Sequence, residues 1–294
     1  VDIKFTSSRG IVWDDSAYSH DQVSLSNNYD FGSVEARPRS VVTYGADGEN
    51  YYGSTVGPRE DVFFEYNLMG STRSDIDDLI ETFKTSFNPS DGIGTLLVTL
   101  ANGNMRALPC TVVREPVCLT GWDNRLGELQ RIQVTLKAWN PYWLDPDLKS
   151  YSLASFTGGM TLPIICPMDF GTTNPSITII NGGNVPSPCV VTFTGAITNP
   201  RVDIYNDLYP DGVYMKAIMD LGAGEYLYVN TAQGNHAVRH IAGTTDTNAY
   251  GYWDPLGEFF MIAPGSNTIT LTQSTAIGST AACDVEFWER HIGV

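Results

Sequence analysis

The chain has 294 residues, is 42% hydrophobic, and carries 17 basic against 33 acidic side chains, a formal net charge of −16. Its length suffices for two ordinary domains with their own cores, and no apolar run approaches the ~20 residues that cross a bilayer. The charge is −8 up to residue 145 (12 basic, 20 acidic) and −8 after it (5 basic, 13 acidic), so neither half offers the cationic stripe that tight nucleic-acid binding requires.

Residues 1–70 read as strands and turns. The run Ser40-Val-Val-Thr-Tyr44 leads into an Asp47-Gly48 turn, and Val62-Phe-Phe-Glu-Tyr-Asn-Leu68 has strand propensity. One convincing helix follows. Ser74 is its expected cap, and Asp75, Asp77 and Asp78 complement the positive end of the helix dipole. Ile76, Leu79, Ile80, Phe83 and Phe87 recur on one helical face, and Asn88-Pro89 ends the helix. Gly94–Leu100, an Asn102-Gly103 turn and Met105 onward form a hairpin. Residues 110–118 and 129–139 complete the sheet. In the latter, Ile132, Val134, Leu136 and Ala138 alternate with polar residues, the period of a half-buried strand.

The run Trp139-Asn-Pro141-Tyr-Trp143-Leu-Asp145-Pro146-Asp147 stops that strand, because closely spaced prolines continue neither a helix nor a central strand. Residues 146–172 read as a linker or an extended crossover, Ser152 to Gly159 being its most linker-like stretch. From 173 onward short strands alternate with turn signals at Asn181-Gly-Gly183, Pro210-Asp-Gly212, Gly222-Ala-Gly224, Gly251 and Pro264-Gly265. That pattern, without a helix, predicts an antiparallel sandwich.

No sequence constellation points to catalysis. His236 and His240 sit in a segment too short for a stable helix, and in a strand they stand roughly 13 Å apart, too far to share an ion. Asp203, Asp207 and Asp211 lack the spacing of a calcium loop. Cys110, Cys118, Cys166, Cys189 and Cys283 contain no C-x-x-C pair and read as small buried hydrophobes. Nucleotide-binding, nucleophile-elbow and zinc-protease motifs are missing. No cofactor or metal is expected, and the chain reads as a non-enzyme. The start, Val1-Asp-Ile-Lys-Phe, shows no secretory signal. The most site-like feature is the aromatic turn Tyr250-Gly-Tyr252-Trp253-Asp-Pro255, where Tyr250, Tyr252 and Trp253 are candidates to touch a partner protein or a glycan. The plainer alternative is that Trp253 and one tyrosine plug the end of the sandwich.

The aromatic-proline run at 139–147 resembles the signature that closes the first domain of siphophage distal tail proteins. The resemblance extends through Asn174-Pro-Ser-Ile-Thr-Ile-Ile-Asn181-Gly-Gly-Asn184-Val-Pro186, Asn199-Pro200-Arg201-Val202, Pro264-Gly265-Ser266-Asn267 and the ending Val285-Glu-Phe287-Trp288. It implies a mainly β protein with three parts. Residues 1–145 would be a β-barrel-like, tail-tube-related, ring-forming domain with one helix, 146–172 a linker, and 173–294 a galectin-like sandwich. By the same resemblance the protein would be a homohexameric hub of a phage tail tip, assembled in the host cytoplasm and resident in the virion. It would contact the tail-tube protein, tail-tip proteins and a receptor-binding protein, with DNA only as passing cargo and no membrane. An acidic surface suits a conduit that must not hold DNA. The rival expectation is an adhesin whose second domain reads host glycans.

Overall fold

The computed structural model describes residues 1–41, 49–122, 124–154, 175–272 and 281–294. The Asp47-Gly48 turn, residues 155–174 and Cys166 lie outside them. Val1–Pro146 together with His291–Val294 make one compact unit, and Asp147–Arg290 make another.

The first unit is a sheet with one helix. Its elements are β1 (Asp2–Thr6), β2 (Val12–Asp14), β3 (Val23–Val41), β4 (Asn50–Met69), α1 (Arg73–Ser86), β5 (Ile93–Thr99), β6 (Met105–Val112), β7 (Val117–Cys118), β8 (Arg125–Leu126), β9 (Leu129–Ala138) and β10 (Trp143–Leu144). The main path runs β2-β1-β5-β6-β9-β4-β3 with antiparallel neighbours. It stays open, and no sheet among the described residues closes into a barrel. The alternation read in β9 holds to its last residue: Gln130, Ile132, Val134, Leu136 and Ala138 point inward.

α1 covers the inner face through rings. Phe83 meets Trp13 at 4.7 Å and Tyr66 at 5.5 Å, and Phe87 stacks on Phe5 at 4.7 Å. Phe83 and Phe87 are fully buried. The cap is Thr72, two residues before the expected Ser74. Its hydroxyl accepts from Asp75 N–H (3.3 Å) while the Asp75 carboxylate accepts from Thr72 N–H (2.8 Å). The reciprocal pair satisfies two of the helix's orphan donors, whereas Ser74 would satisfy one, so the earlier start wins.

β3 and β4 are far longer than the sequence implied, at 19 and 20 residues. Only the part of β4 from Arg59 to Met69 is paired to β9. Before Arg59 the two strands pair only with each other as a ribbon, and the described side chains from Glu35 to Val41 are all exposed. With both faces in water, no apolar alternation was present to reveal it.

The second unit is the expected sandwich. One sheet orders β11 (Lys149–Ala154), β23 (Ala282–Phe287), β13 (Ser187–Thr194), β18 (Glu225–Asn230), β19 (Ala237–Ala242) and β20 (Thr245–Asn248). The other orders β12 (Ser176–Asn181), β22 (Gly265–Thr272), β15 (Arg201–Tyr205) and β16 (Val213–Lys216). The pairs β14 (Ile197–Thr198) with β17 (Asp220–Leu221) and β21 (Met261–Ile262) with β13 complete it. Phe193, Leu227 and Val285 from the first sheet share one core with Ile179, Ile204 and Leu271 from the second. Lys149–Ala154, within the expected linker, is a strand paired to β23.

The turn motifs owe their form to buried amides. Asn267 accepts from Ala263 N–H and donates to the Ala263 and Gly265 carbonyls at 2.8–3.1 Å, closing the Pro264-Gly265 turn. Asn181 donates to Ile262 O and accepts from Gly183 N–H, both at 3.0 Å. A Cβ at Gly183 would lie 2.4 Å from Arg290 O, so only glycine fits there.

Two outcomes follow for the first unit. Phe83→Asp removes a fully buried ring, worth ~3–5 kcal/mol by truncation alone, and should lower the melting temperature by roughly 10 °C or more. An unchanged melting curve would show that this helix face is not packed. Asp15 is half-buried, with both carboxylate oxygens 2.9 Å from Ile3 N–H, and burial pushes its pKa up to about 6. The folded chain therefore holds this proton more tightly than the unfolded chain. The associated stability is present below about pH 4 and is lost as pH rises through about 6. Relative to Asp15→Asn, the wild type should lose stability across that window in urea titrations; parallel pH profiles would contradict this.

Candidate functional site

Arg59 sits at the root of the ribbon. Its side chain is buried, and among the described residues no carboxylate bonds to it. The guanidinium donates instead to carbonyls: Nε to Pro141 O at 3.0 Å, Nη1 to Gly32 O at 2.7 Å and Phe31 O at 3.3 Å, and Nη2 to Ile292 O. It also lies 5.8 Å from the ring centre of Trp143, which is fully buried. Burial pushes the Arg59 pKa down, with Asp30 opposing. Gly32, at φ +72°, has no room for a Cβ, which would fall 2.4 Å from Glu60 O. Hairpin root, aromatic-proline stop and the final residues are thus held by one side chain.

Beyond that root the ribbon offers Tyr51 and Tyr52, about two-thirds exposed, and the exposed Arg37 and Arg39. Neither arginine has an ion-pair partner among the described residues, and Arg37 lies across Gly57, whose missing side chain leaves it space.

At the opposite end of β4, α1 and the β8–β9 turn border a groove of about 1110 Å³. Asp21, Asp75, Asp78 and Glu128 line it with Leu79 and Leu126, and no Lys, Arg or His does. Asp75 is engaged by the helix cap; the other three carboxylates are exposed. Trp122, on the loop just before β8, is 87% exposed.

The aromatic turn of the second unit divides its three candidates. Trp253 is half-buried, stacks on Phe259 at 4.5 Å with the planes 1° apart, and donates from Nε1 to Gly257 O at 3.3 Å. His236 stacks on the same Phe259 at 4.6 Å. Tyr250 and Tyr252 occupy a short 3-10 turn and are 42% and 54% exposed. Leu256, 79% exposed, and Ile218, 53% exposed, lie close by in the chain path, since Ile218 N–H donates to Tyr252 O at 2.6 Å. Asp254 pins the turn, accepting from Leu256 N–H at 3.0 Å with Lys216 at 3.6 Å. Trp253 is therefore scaffold, Tyr250 leans on the same Phe259 at 5.9 Å while staying partly exposed, and Tyr252 is surface. Sequence reasoning missed Leu256 and Ile218, single apolar residues whose exposure no pattern signals.

Several other titratable groups have structural partners. His240 meets Glu225 at 3.1 Å while His236 is on Phe259, so the two imidazoles serve different partners. Asp203 accepts from Arg201 and Thr272 rather than joining Asp207 and Asp211. Cys110, Cys118, Cys189 and Cys283 are free thiols. Burial pushes Cys110 and Cys189 up to about 12, far from a nucleophilic thiolate. No helix among the described residues is long and apolar enough to cross a membrane.

No family model and no curated protein sequence matches the chain. The crystal structure of the SPP1 Dit protein, presented as a paradigm of the hub adsorption apparatus in phages infecting Gram-positive hosts, does match in fold. It aligns over 98% of both chains with a TM-score of 0.62 and 13% identity. The chain has the Dit fold. A chain of the phage P2 baseplate in its activated, calcium-bound conformation aligns over 100% of this chain and 99% of its own, with a TM-score of 0.49 and 11% identity. The likeness to SPP1 Dit spans both units, as the turn motifs and the aromatic-proline stop implied.

A pair of substitutions separates scaffold from surface in the aromatic turn. Tyr252→Ser should change unfolding free energy by less than ~0.5 kcal/mol, as for ordinary surface positions. Trp253→Ala should cost about 2 kcal/mol or more through loss of the Phe259 stack. Equal costs in chemical denaturation would contradict the division.

Proposed function

We propose that this protein is a structural hub of a long-tailed phage tail tip, forming a homohexameric ring that continues the tail tube and lets DNA pass. The observation that carries the reading is the Dit fold shared across 98% of both chains, ribbon and sandwich included. The physical features agree with it. β3 is a 19-residue strand at the end of an open sheet, with one edge unpaired among the described residues. A long free edge invites further pairing, and a two-stranded ribbon is marginal alone. Neighbouring copies in a closed ring relieve both conditions.

In this reading the first unit forms the ring, and its carboxylates keep passing DNA from adhering to the wall. The second unit holds tail-tip or receptor-binding proteins, with Tyr250, Tyr252 and Leu256 as the contact edge. The work is assembly and conduction, without bond-making or a cofactor, in a virion component assembled in the host cytoplasm. The aromatic turn keeps the glycan-binding adhesin as the alternative.

Native mass spectrometry at micromolar concentration should give six copies, and negative-stain images should show rings with a central opening. A chain that remains monomeric at all concentrations, tail neighbours included, would overturn the hub reading. Strong glycan-array binding lost in Tyr250→Ala/Tyr252→Ala, by a monomeric chain, would favour the adhesin.

A further inference from the structure

We infer that Arg37 and Arg39 on the ribbon of one copy dock into the acidic groove beside α1 of a second copy. This contact deepens the ring reading and rests on it.

Two surfaces of the first unit are incomplete in opposite senses. The ribbon carries two exposed guanidinium groups outside any ion pair among the described residues, Arg37 acting only at longer range on Glu60, which Lys137 already holds, next to the exposed rings of Tyr51 and Tyr52. The groove carries Asp21, Asp78 and Glu128 with no cation lining it, beside the apolar Leu79 and half-exposed Leu126. Basic and aromatic on one side, acidic and apolar on the other, the two match in charge and in character.

Geometry then forbids the match within one copy. Both surfaces belong to β4: Arg37 pairs with Thr55 near its start, while Met69 at its end lines the groove. At the rise of a strand, those points are about 45 Å apart along one strand. The ribbon cannot bend back to its own groove, so the acceptor must be another copy. A contact between two different surfaces of identical chains is head-to-tail, the kind that closes into rings. The groove is also large enough for a segment of backbone with side chains rather than for a small ion, exceeding the usual ~300–1,000 Å³ of small-molecule pockets.

The test is a charge exchange in the full-length chain, read by mass photometry, with thermal melting as a folding control. R37E/R39E and D78K/E128K should each lower the assembled fraction at least ~10-fold, because like charges would then face each other. Mixing the two variants, or combining all four substitutions, should restore assembly, since each ribbon again meets a groove of opposite sign. Should a reversed variant fail to melt cooperatively, R37Q/R39Q and D78N/E128Q replace it, with the same loss expected. The contact is overturned if the variants assemble like wild type, which leaves the ring intact and points the groove to another tail protein. It is equally overturned if assembly is lost and mixing does not restore it. A wild type that never assembles removes the ring reading itself.

Discussion

A single buried guanidinium organises the first unit. Taking a charge out of water costs several kcal/mol unless its hydrogen-bonding capacity is met. Arg59 meets it with carbonyls from Phe31, Gly32, Pro141 and Ile292 rather than with a carboxylate. Carbonyl dipoles offset part of the cost, and each charge-assisted bond contributes about 1.5–3 kcal/mol. The arrangement needs the planar fork of arginine, because the acceptors approach from different segments and a lysine ammonium cannot spread its donors so widely. Remove the fork and three segments lose their common anchor while four carbonyls lose a donor. Gly32 belongs to the same device: the close approach that delivers its carbonyl to Arg59 is the approach that excludes a Cβ.

That anchor explains how the ribbon can extend at all. Its outer part has no third strand and no buried face, so its geometry is set at the root, where β9 pairing ends at Arg59. Register shifts between Val34 and Ala36 and between Pro38 and Ser40 add twist along the ribbon. Pro38 and Pro58 stand at positions where a further strand could not be paired continuously. The ribbon therefore resists indiscriminate strand addition while leaving charged side chains as its specific feature.

The sequence made some of this legible and hid the rest for physical reasons. Half-buried strands such as β9 were readable because one face is dry and the other wet. The helix face from Ile76 to Phe87 was readable for the same reason, and the sandwich was readable from Gly and Asn turns that use buried Asn181 and Asn267 as internal braces. The ribbon was not, because both faces are wet. The return of His291–Val294 to the first unit was not, because what holds it includes a short strand paired to β10 and an Arg59 bond to a backbone carbonyl, neither of which a residue type announces. In the aromatic turn, composition drew attention to three rings but could not say that Phe259 stacks on Trp253 and touches Tyr250. Arg59 carries no sequence signal of burial; the fold shows it buried.

The acidic balance and self-assembly pull against each other. Each copy carries −16, so approaching copies repel before they touch, an effect that salt screens over ~8–10 Å. Assembly then depends on local complementarity strong enough to prevail at contact distance. Most cations of the first unit are unsuited to supply it: Lys4, Arg9, Arg73, Lys84, Arg106, Arg131 and Lys137 are in ion pairs within the copy, and Arg59 is buried. Arg37 and Arg39 are held clear of the body on the ribbon. A chain with few positive charges gains most from those left outside internal ion pairs, and a ribbon rooted on one buried arginine is a means of presenting them.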